Sequence, residues 1–143
     1  MEEIVKILNE GGFSCVIKNN AIRTFSRRGV ADLYELLTTE PSFLNGALIA
    51  DKVIGKAAAA LMILGGVKQI YTYRISSLAL ALLREAGIKL DFKEEVPFIQ
   101  NRDKTDWCPM EKLCYNEKSA SDILPIIEEF IGSLGASGKT VST

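Results

Sequence analysis

The run Ala57-Ala58-Ala59-Ala60-Leu61-Met62-Ile63-Leu64 constrains this chain more than any other segment, with charged residues Asp51, Lys52 and Lys56 before it and Gly65-Gly66 after it. It reads as a helix opening at Asp51 whose first turn is charged and whose body is almost bare methyl groups, a surface that lets a neighbouring element pack very closely. A β-rich run over residues 67–75 follows, then a second helix opened by Ser76 and Ser77. Two helix N-termini therefore converge near one sheet edge, which predicts a pocket more clearly than it predicts a reaction.

The rest of the composition removes whole classes of function. With 143 residues the chain fits one compact domain with a genuine core. Its 48% apolar and 24% charged residues and net charge of −1 describe neither a disordered chain nor one built to attract a nucleic acid polymer. The acidic, amphipathic opening MEEIVKILNE lacks the basic and apolar regions of a signal peptide. Residues 43–64, the longest apolar region, are interrupted by Asn45, Asp51, Lys52 and Lys56, which argues against a membrane span. A cytoplasmic location is expected, and three cysteines, Cys15, Cys108 and Cys114, do not make a disulfide framework there.

Helices and strands alternate along the chain. A helix over 2–9 presents Ile4, Val5 and Leu8 on one face and stops at Gly11-Gly12. Strands over 13–18 and 21–26 flank Asn19-Asn20, a pair that tolerates the positive φ of a tight hairpin turn. A helix over 30–38 turns Leu33, Leu36 and Leu37 inward and is terminated by Pro41. A short strand over 46–50 leads into the Asp51 helix, and a strand over 67–75, a helix over 76–86 closed by Gly87 and a strand over 88–92 come next. Residues 96–99 read as a short edge strand, Pro109 opens a short helix, and residues 122–134 form the last one. This order implies crossover connections and a sheet that is at least partly parallel. The reading is a single domain over residues 1–131 and a flexible tail over 132–143. Within that tail, Gly135 to Thr140 imitates a phosphate-binding loop, but Ser133 stands where the motif needs glycine and only three residues follow Thr140.

The order of hairpin, helix, strand, helix and strand between Phe13 and Phe98 resembles the cytidine-deaminase-like fold. That resemblance implies a three-layer α/β/α architecture, a mixed sheet of about five strands flanked by helices. It also implies a place for zinc at two helix starts, held in active deaminases by His-x-Glu and Pro-Cys-x-x-Cys. Here those starts read Gly55-Lys56-Ala57 and Ile75-Ser76-Ser77-Leu78, and the chain contains no histidine. The zinc motif is absent, no metal is expected, and no resident cofactor is called for. Two shorter segments, Asp51-Lys52-Val53-Ile54-Gly55 and Arg74-Ile75-Ser76, look like the Asp-Lys-x-Ile-Gly and Arg-x-Ser elements of the formate dehydrogenase accessory sulfurtransferases. That likeness implies a cofactor or nucleotide site beside them. The Arg-His-Asn preceding the first element in that family is replaced here by Ala47-Leu48-Ile49, so the likeness carries the position of a pocket and not sulfur transfer. As a whole the chain resembles a small family of deaminase-like proteins without the zinc motif.

The candidate ligand-binding residues are therefore Asp51, Lys52, Gly55, Lys56, Arg74, Ser76 and Ser77. Asp51 is an N-cap type and also a ligand-facing carboxylate. Lys52 and Lys56, four apart on one helical face, repel each other slightly unless an anion lies nearby. Ser76 and Ser77 offer hydroxyls and unpaired N–H groups at a helix start, and Arg74 is placed to close over a phosphate or carboxylate. The second candidate is Cys108: Pro109 suits a first helical position and Glu111 a capping box, which sets Cys108 at the N-cap, where a thiol can be activated. Cys114, six residues on, falls on a different helical face, and Trp107 is suited to packing or to stacking on a planar ligand. Three readings follow: binding of a nucleotide-like or other anionic small molecule at the paired helix ends, a sulfur- or acyl-transfer enzyme using Cys108, and a homo-oligomeric interaction module.

Overall fold

The computed structural model describes residues 1–27, 30–101 and 104–138. Its elements are α1 (Glu2–Gly11), β1 (Cys15–Asn19), β2 (Ala21–Phe25), α2 (Ala31–Thr39), α3 (Pro41–Leu44), β3 (Leu48–Ile54), α4 (Lys56–Gly65), β4 (Gln69–Ser76), α5 (Ser77–Glu85), β5 (Lys89–Val96), α6 (Pro109–Cys114) and α7 (Ala120–Gly138). The five strands form one sheet in the order β2-β1-β3-β4-β5. β1 runs antiparallel to both β2 and β3, while β3, β4 and β5 are parallel, so the sheet is mixed as the chain order requires.

Helices cover both faces of the sheet, giving three layers. On one side α1 sets Ile4 and Leu8 against Val16 and Ala50, with Tyr71 packed at the margin. On the other, α2, α4, α5, α6 and α7 enclose a larger core containing Ile17, Ile49, Ile70, Leu83, Ile123 and Ile127. α4 is the central element of that layer and is in contact with α2, α5, α6 and α7. Its residues from Lys56 to Met62 are all buried, and the four alanines among them let several helices approach at once. Asn20, at φ 66, makes the β1–β2 hairpin turn that its side chain tolerates. Among the described residues no helix is long and apolar enough to cross a membrane.

Several local expectations are corrected. The helix does not open at Asp51: residues 48–54 are strand, because both sides of that segment find ladder partners in β1 and β4, and Gly55 in extended conformation is the true N-cap of α4. Lys52 and Lys56 consequently do not share a helical face. Pro41 does not merely end α2 but occupies the first turn of α3, where its missing N–H costs nothing. β5 extends through Val96, and beyond it Gln100 and Trp107 form an isolated bridge in place of a separate edge strand over 96–99. α7 begins at Ala120, two residues earlier than expected, with the Ser119 hydroxyl accepting from Asp122 N at 3.1 Å. It runs on to Gly138, past the start of the expected tail, and residues 139–143, including Lys139 and Thr140, lie outside the described residues.

Candidate functional site

Three buried polar side chains stand in register on three adjacent strands. Cys15 of β1 faces Asp51 of β3, and Asp51 faces Thr72 of β4. Phe25 continues the row beyond Cys15 and Phe92 beyond Thr72, so the polar groups sit between two phenyl rings. The row lies on the multi-helix face of the sheet, since Cys15, Phe25 and Phe92 all belong to that core. Cys15 is 7% exposed, Asp51 9% and Thr72 0%, so all three are buried. The Thr72 hydroxyl donates to Arg74 O at 3.1 Å, fixing the end of β4.

Asp51 is the energetically unusual member. Burial pushes its carboxyl up to about 7, opposed by the backbone N–H groups of Val53 and Lys52 and by the Cys15 thiol. The Val53 N–H reaches Oδ1 at 3.4 Å, a long bond, and the Lys52 N–H is also committed to Ser14 O at 3.0 Å. Among the described residues no lysine or arginine forms an ion pair with Asp51. Burial also raises the Cys15 thiol well above its ordinary range, with the charges of Asp51 and Asp32 adding to the effect, so Cys15 is a thiol and not a thiolate at neutral pH. Asp32 is held by Arg27 at 2.5 Å and is thereby neutralised from the outside.

The two helix starts are served from within the chain. Glu111, 2% exposed, accepts from Lys56 N at 2.7 Å and from Ile99 N at 2.8 Å, so its carboxylate occupies the place an anion would take at the α4 N-terminus. A Cβ on Gly55 would lie 3.1 Å from Glu111 Oε1, which shows how closely that carboxylate approaches the backbone. The Lys56 ammonium turns away to donate to Tyr115 O at 3.0 Å and to Glu117 O, pinning α6 onto α4. At α5, Ser76 is the N-cap, accepting from Ala79 N at 3.0 Å, as its residue type predicts. Ser77 donates to Glu95 Oε2 at 2.7 Å, and Arg74 pairs with Glu94 at 2.6 Å on the exposed edge.

Of the residues singled out by sequence, Gly55, Lys56, Ser76 and Ser77 do fall at the two helix starts, and Arg74 lies beside Val53 on the neighbouring strand. Lys52 is exposed on β3 and Asp51 belongs to the strand row, not to a helix turn. Cys108 does hold the N-cap position of α6, but its side chain makes no capping bond, α6 is only six residues long, and Glu111 caps α4 instead of closing a box on its own helix. Cys114 is fully buried, and burial lifts its thiol to about 11 against the lowering influence of Lys56. Trp107 is occupied by protein rings: Phe98 stacks on it at 4.3 Å and Tyr115 meets it edge-on at 5.3 Å. Sequence reasoning read Glu111 as a capping box on its own helix and missed it as the cap of α4, and it missed Cys15 and Thr72 as members of a row. For the row, a β3 that includes Asp51 would have been signal enough; for Glu111, whose partners lie 55 and 12 residues away, no local pattern exists.

Among the described residues no cluster of three or more His, Cys, Asp or Glu is arranged to hold a metal ion. Two surface concavities lie away from the row, one of about 450 Å³ between α1 and Tyr71, the other of about 310 Å³ bounded by Leu113, Ile126, Glu129 and Phe130.

Comparison with solved structures places a Thermotoga maritima DUF1893 family protein, TM1506, over 90% of this chain and 88% of its own at 26% identity, with a TM-score of 0.83. Two deaminase-containing chains overlap only in part. Acinetobacter baumannii RibD matches 64% of this chain and 33% of its own at 14% identity and a TM-score of 0.43. A Thermotoga maritima diaminohydroxyphosphoribosylaminopyrimidine deaminase/5-amino-6-(5-phosphoribosylamino)uracil reductase matches 65% and 35% at 11% identity and 0.42. No curated protein matches the chain. The family profile described as TM1506, domain of unknown function DUF1893, spans residues 3–131, and the chain belongs to that family.

Proposed function

We propose that this chain is a small-molecule-binding domain of deaminase-like layout without the zinc motif, and that it holds a planar, nucleobase- or pterin-like ligand at Asp51. The observation that carries this reading is the in-register row Cys15–Asp51–Thr72 between Phe25 and Phe92. A buried carboxylate that forms no ion pair among the described residues costs stability, and such costs concentrate at functional sites. Leu, Val or Ala in the row would complete the core more cheaply. In this reading the phenyl rings at either end would be the apolar, aromatic part of the site, and the three polar groups its orienting contacts.

Native mass spectrometry and thermal-shift measurements with a panel of nucleobases, nucleotides and pterins test the reading. The expected result is retention of at least one planar ligand by the unmodified protein and its loss in Asp51→Asn and Thr72→Val. A panel that leaves the protein unshifted, or a ligand retained equally by all three proteins, contradicts it.

A further inference from the structure

The two faces of the sheet are covered unequally. Among the described residues α1 is the one helix packed on its face, where it rests chiefly on β1 and β3. β4 and β5 are left bare there. Tyr71 of β4 stands in register with Asp91 of β5, and strand alternation sets Tyr73, Lys89 and Lys93 on that same face, opposite to Leu90 and Phe92 in the multi-helix core. β4 is an interior strand, yet its Tyr73 is 53% exposed, and Lys89, Asp91 and Lys93 are exposed beside it. The bare strip is two strands wide, roughly 10 Å, which is about the width of one helix. Its wall is the flank of α1: the concavity of about 450 Å³ lies between Tyr71 and a helical stripe that includes Glu2, Lys6 and Glu10, spaced four residues apart.

Wall and floor carry opposite charge. α1 exposes Glu2, Glu3 and Glu10, offset by Lys6 alone, while the strip carries Lys89 and Lys93 against Asp91. Lys52 of β3, two residues beyond Ala50 on the α1 side, is exposed as well, and the register of the three strands sets Tyr73 between Lys52 and Lys93. Glu3 is held by Lys18, but among the described residues none of Glu2, Glu10, Lys52 and Lys93 is in an ion pair. Within one copy, then, the acidic helix and the basic strip lie side by side with their charges unmatched.

We propose that this face is a homodimer interface, in which the carboxylate-bearing side of each α1 docks on the Lys52–Tyr73–Lys93 strip of the other copy. A two-fold axis makes both contacts at once, because a copy that lays its α1 on its neighbour's strip receives the neighbour's α1 on its own. Tyr73 is the aromatic anchor of the contact, and the lysines meet the charge that α1 brings. The interface lies on the opposite side of the sheet from the Asp51 row and is independent of ligand binding there.

Sedimentation equilibrium over a concentration series tests the interface with two charge-reversed proteins, Glu2→Lys/Glu10→Lys and Lys52→Glu/Lys93→Glu, all four positions being exposed. The unmodified protein is expected to be a dimer whose dissociation constant rises with sodium chloride. Each reversed protein alone sets like charges together in both halves of the contact, and its dissociation constant is expected to rise about tenfold or more. An equimolar mixture of the two restores opposite charges in both halves and is expected to form a heterodimer about as tight as the parent, which also shows that each variant is folded. Tyr73→Ser, which leaves every charge in place, is expected to weaken the parent dimer. A monomeric parent, a dimer that neither reversed protein nor Tyr73→Ser weakens, or folded reversed proteins that fail to combine on mixing overturns the proposal.

Discussion

Cys15 and Asp51 face each other across the antiparallel β1–β3 ladder, a thiol against a carboxylate that forms no ion pair among the described residues, both at least nine-tenths buried. Burial sets the protonation of each: it raises the thiol, with the Asp51 charge adding to the effect, and it raises the carboxyl, with the thiol one of the donors that oppose it.

Stability is expected to fall as pH rises through the window set by Asp51. Its folded-state carboxyl titrates at about 7, above the value of 3.8 that an unperturbed aspartate shows. Between those values the folded protein binds more proton than the unfolded chain, so ΔG of unfolding decreases with rising pH and levels off above the window, a change on the order of a few kcal/mol. Urea denaturation across the window should show this slope in the parent and a flatter profile in Asp51→Asn. A parent whose stability rises over the same range contradicts the assignment.

Glu111 is expected to be worth far more than a surface acid. Truncation by Glu111→Ala leaves the buried Lys56 N–H and the part-buried Ile99 N–H without their acceptor, at a cost of roughly 2–4 kcal/mol, while Glu111→Gln keeps one amide oxygen and loses less. Hydrogen exchange of those two amides reads the effect locally. If both amides exchange at the same rate in Glu111→Ala as in the parent, the cap does not operate.

Gly55→Ala tests how tightly that carboxylate is set. The added methyl would meet Glu111 Oε1 at 3.1 Å and Ile99 Cγ1 at 3.3 Å, so α6 or residue 99 must shift, with a loss of about 1–3 kcal/mol. The backbone φ of −98 at this position suits alanine, which makes the contact, and not conformational strain, the cause. A neutral or stabilising substitution would mean that the segment carrying Glu111 yields freely.

The three cysteines should separate by reactivity in the native protein at neutral pH. Cys15 and Cys114 are buried thiols whose ionisation is raised, while Cys108 is partly exposed. Alkylation followed by peptide mass spectrometry is expected to label Cys108 first and the other two only on unfolding. Rapid native labelling of Cys15 would mean that the Asp51 row opens to solvent far more than its burial implies.

The order of elements was legible because strong local signals coincide with the architecture: the Asn19-Asn20 turn, the glycines after α1, α4 and α5, and the apolar body of α4. What sequence misplaced was the boundary at Asp51. Charged residues ahead of an alanine run read as a helix cap, yet Val53 and Ile54 are drawn into the sheet by pairing with Arg74 and Ile75 of β4, an interaction that no local window contains. The same limit applied to the site. Ser76 was recognisable as a cap from its neighbours alone, whereas the Glu111 bond to Lys56 N joins segments 55 residues apart and appears only once α6 is folded against α4. The Cys15–Asp51–Thr72 row depends on the register of three strands, so it emerges from pairing and not from any one segment.

The central claim is that Asp51 is a carboxyl group whose ionisation is opposed by its burial, and a carbon-13 NMR titration of the side chain measures this directly. The predicted midpoint is about 7. A midpoint in the ordinary carboxylate range near about 4 would contradict the account.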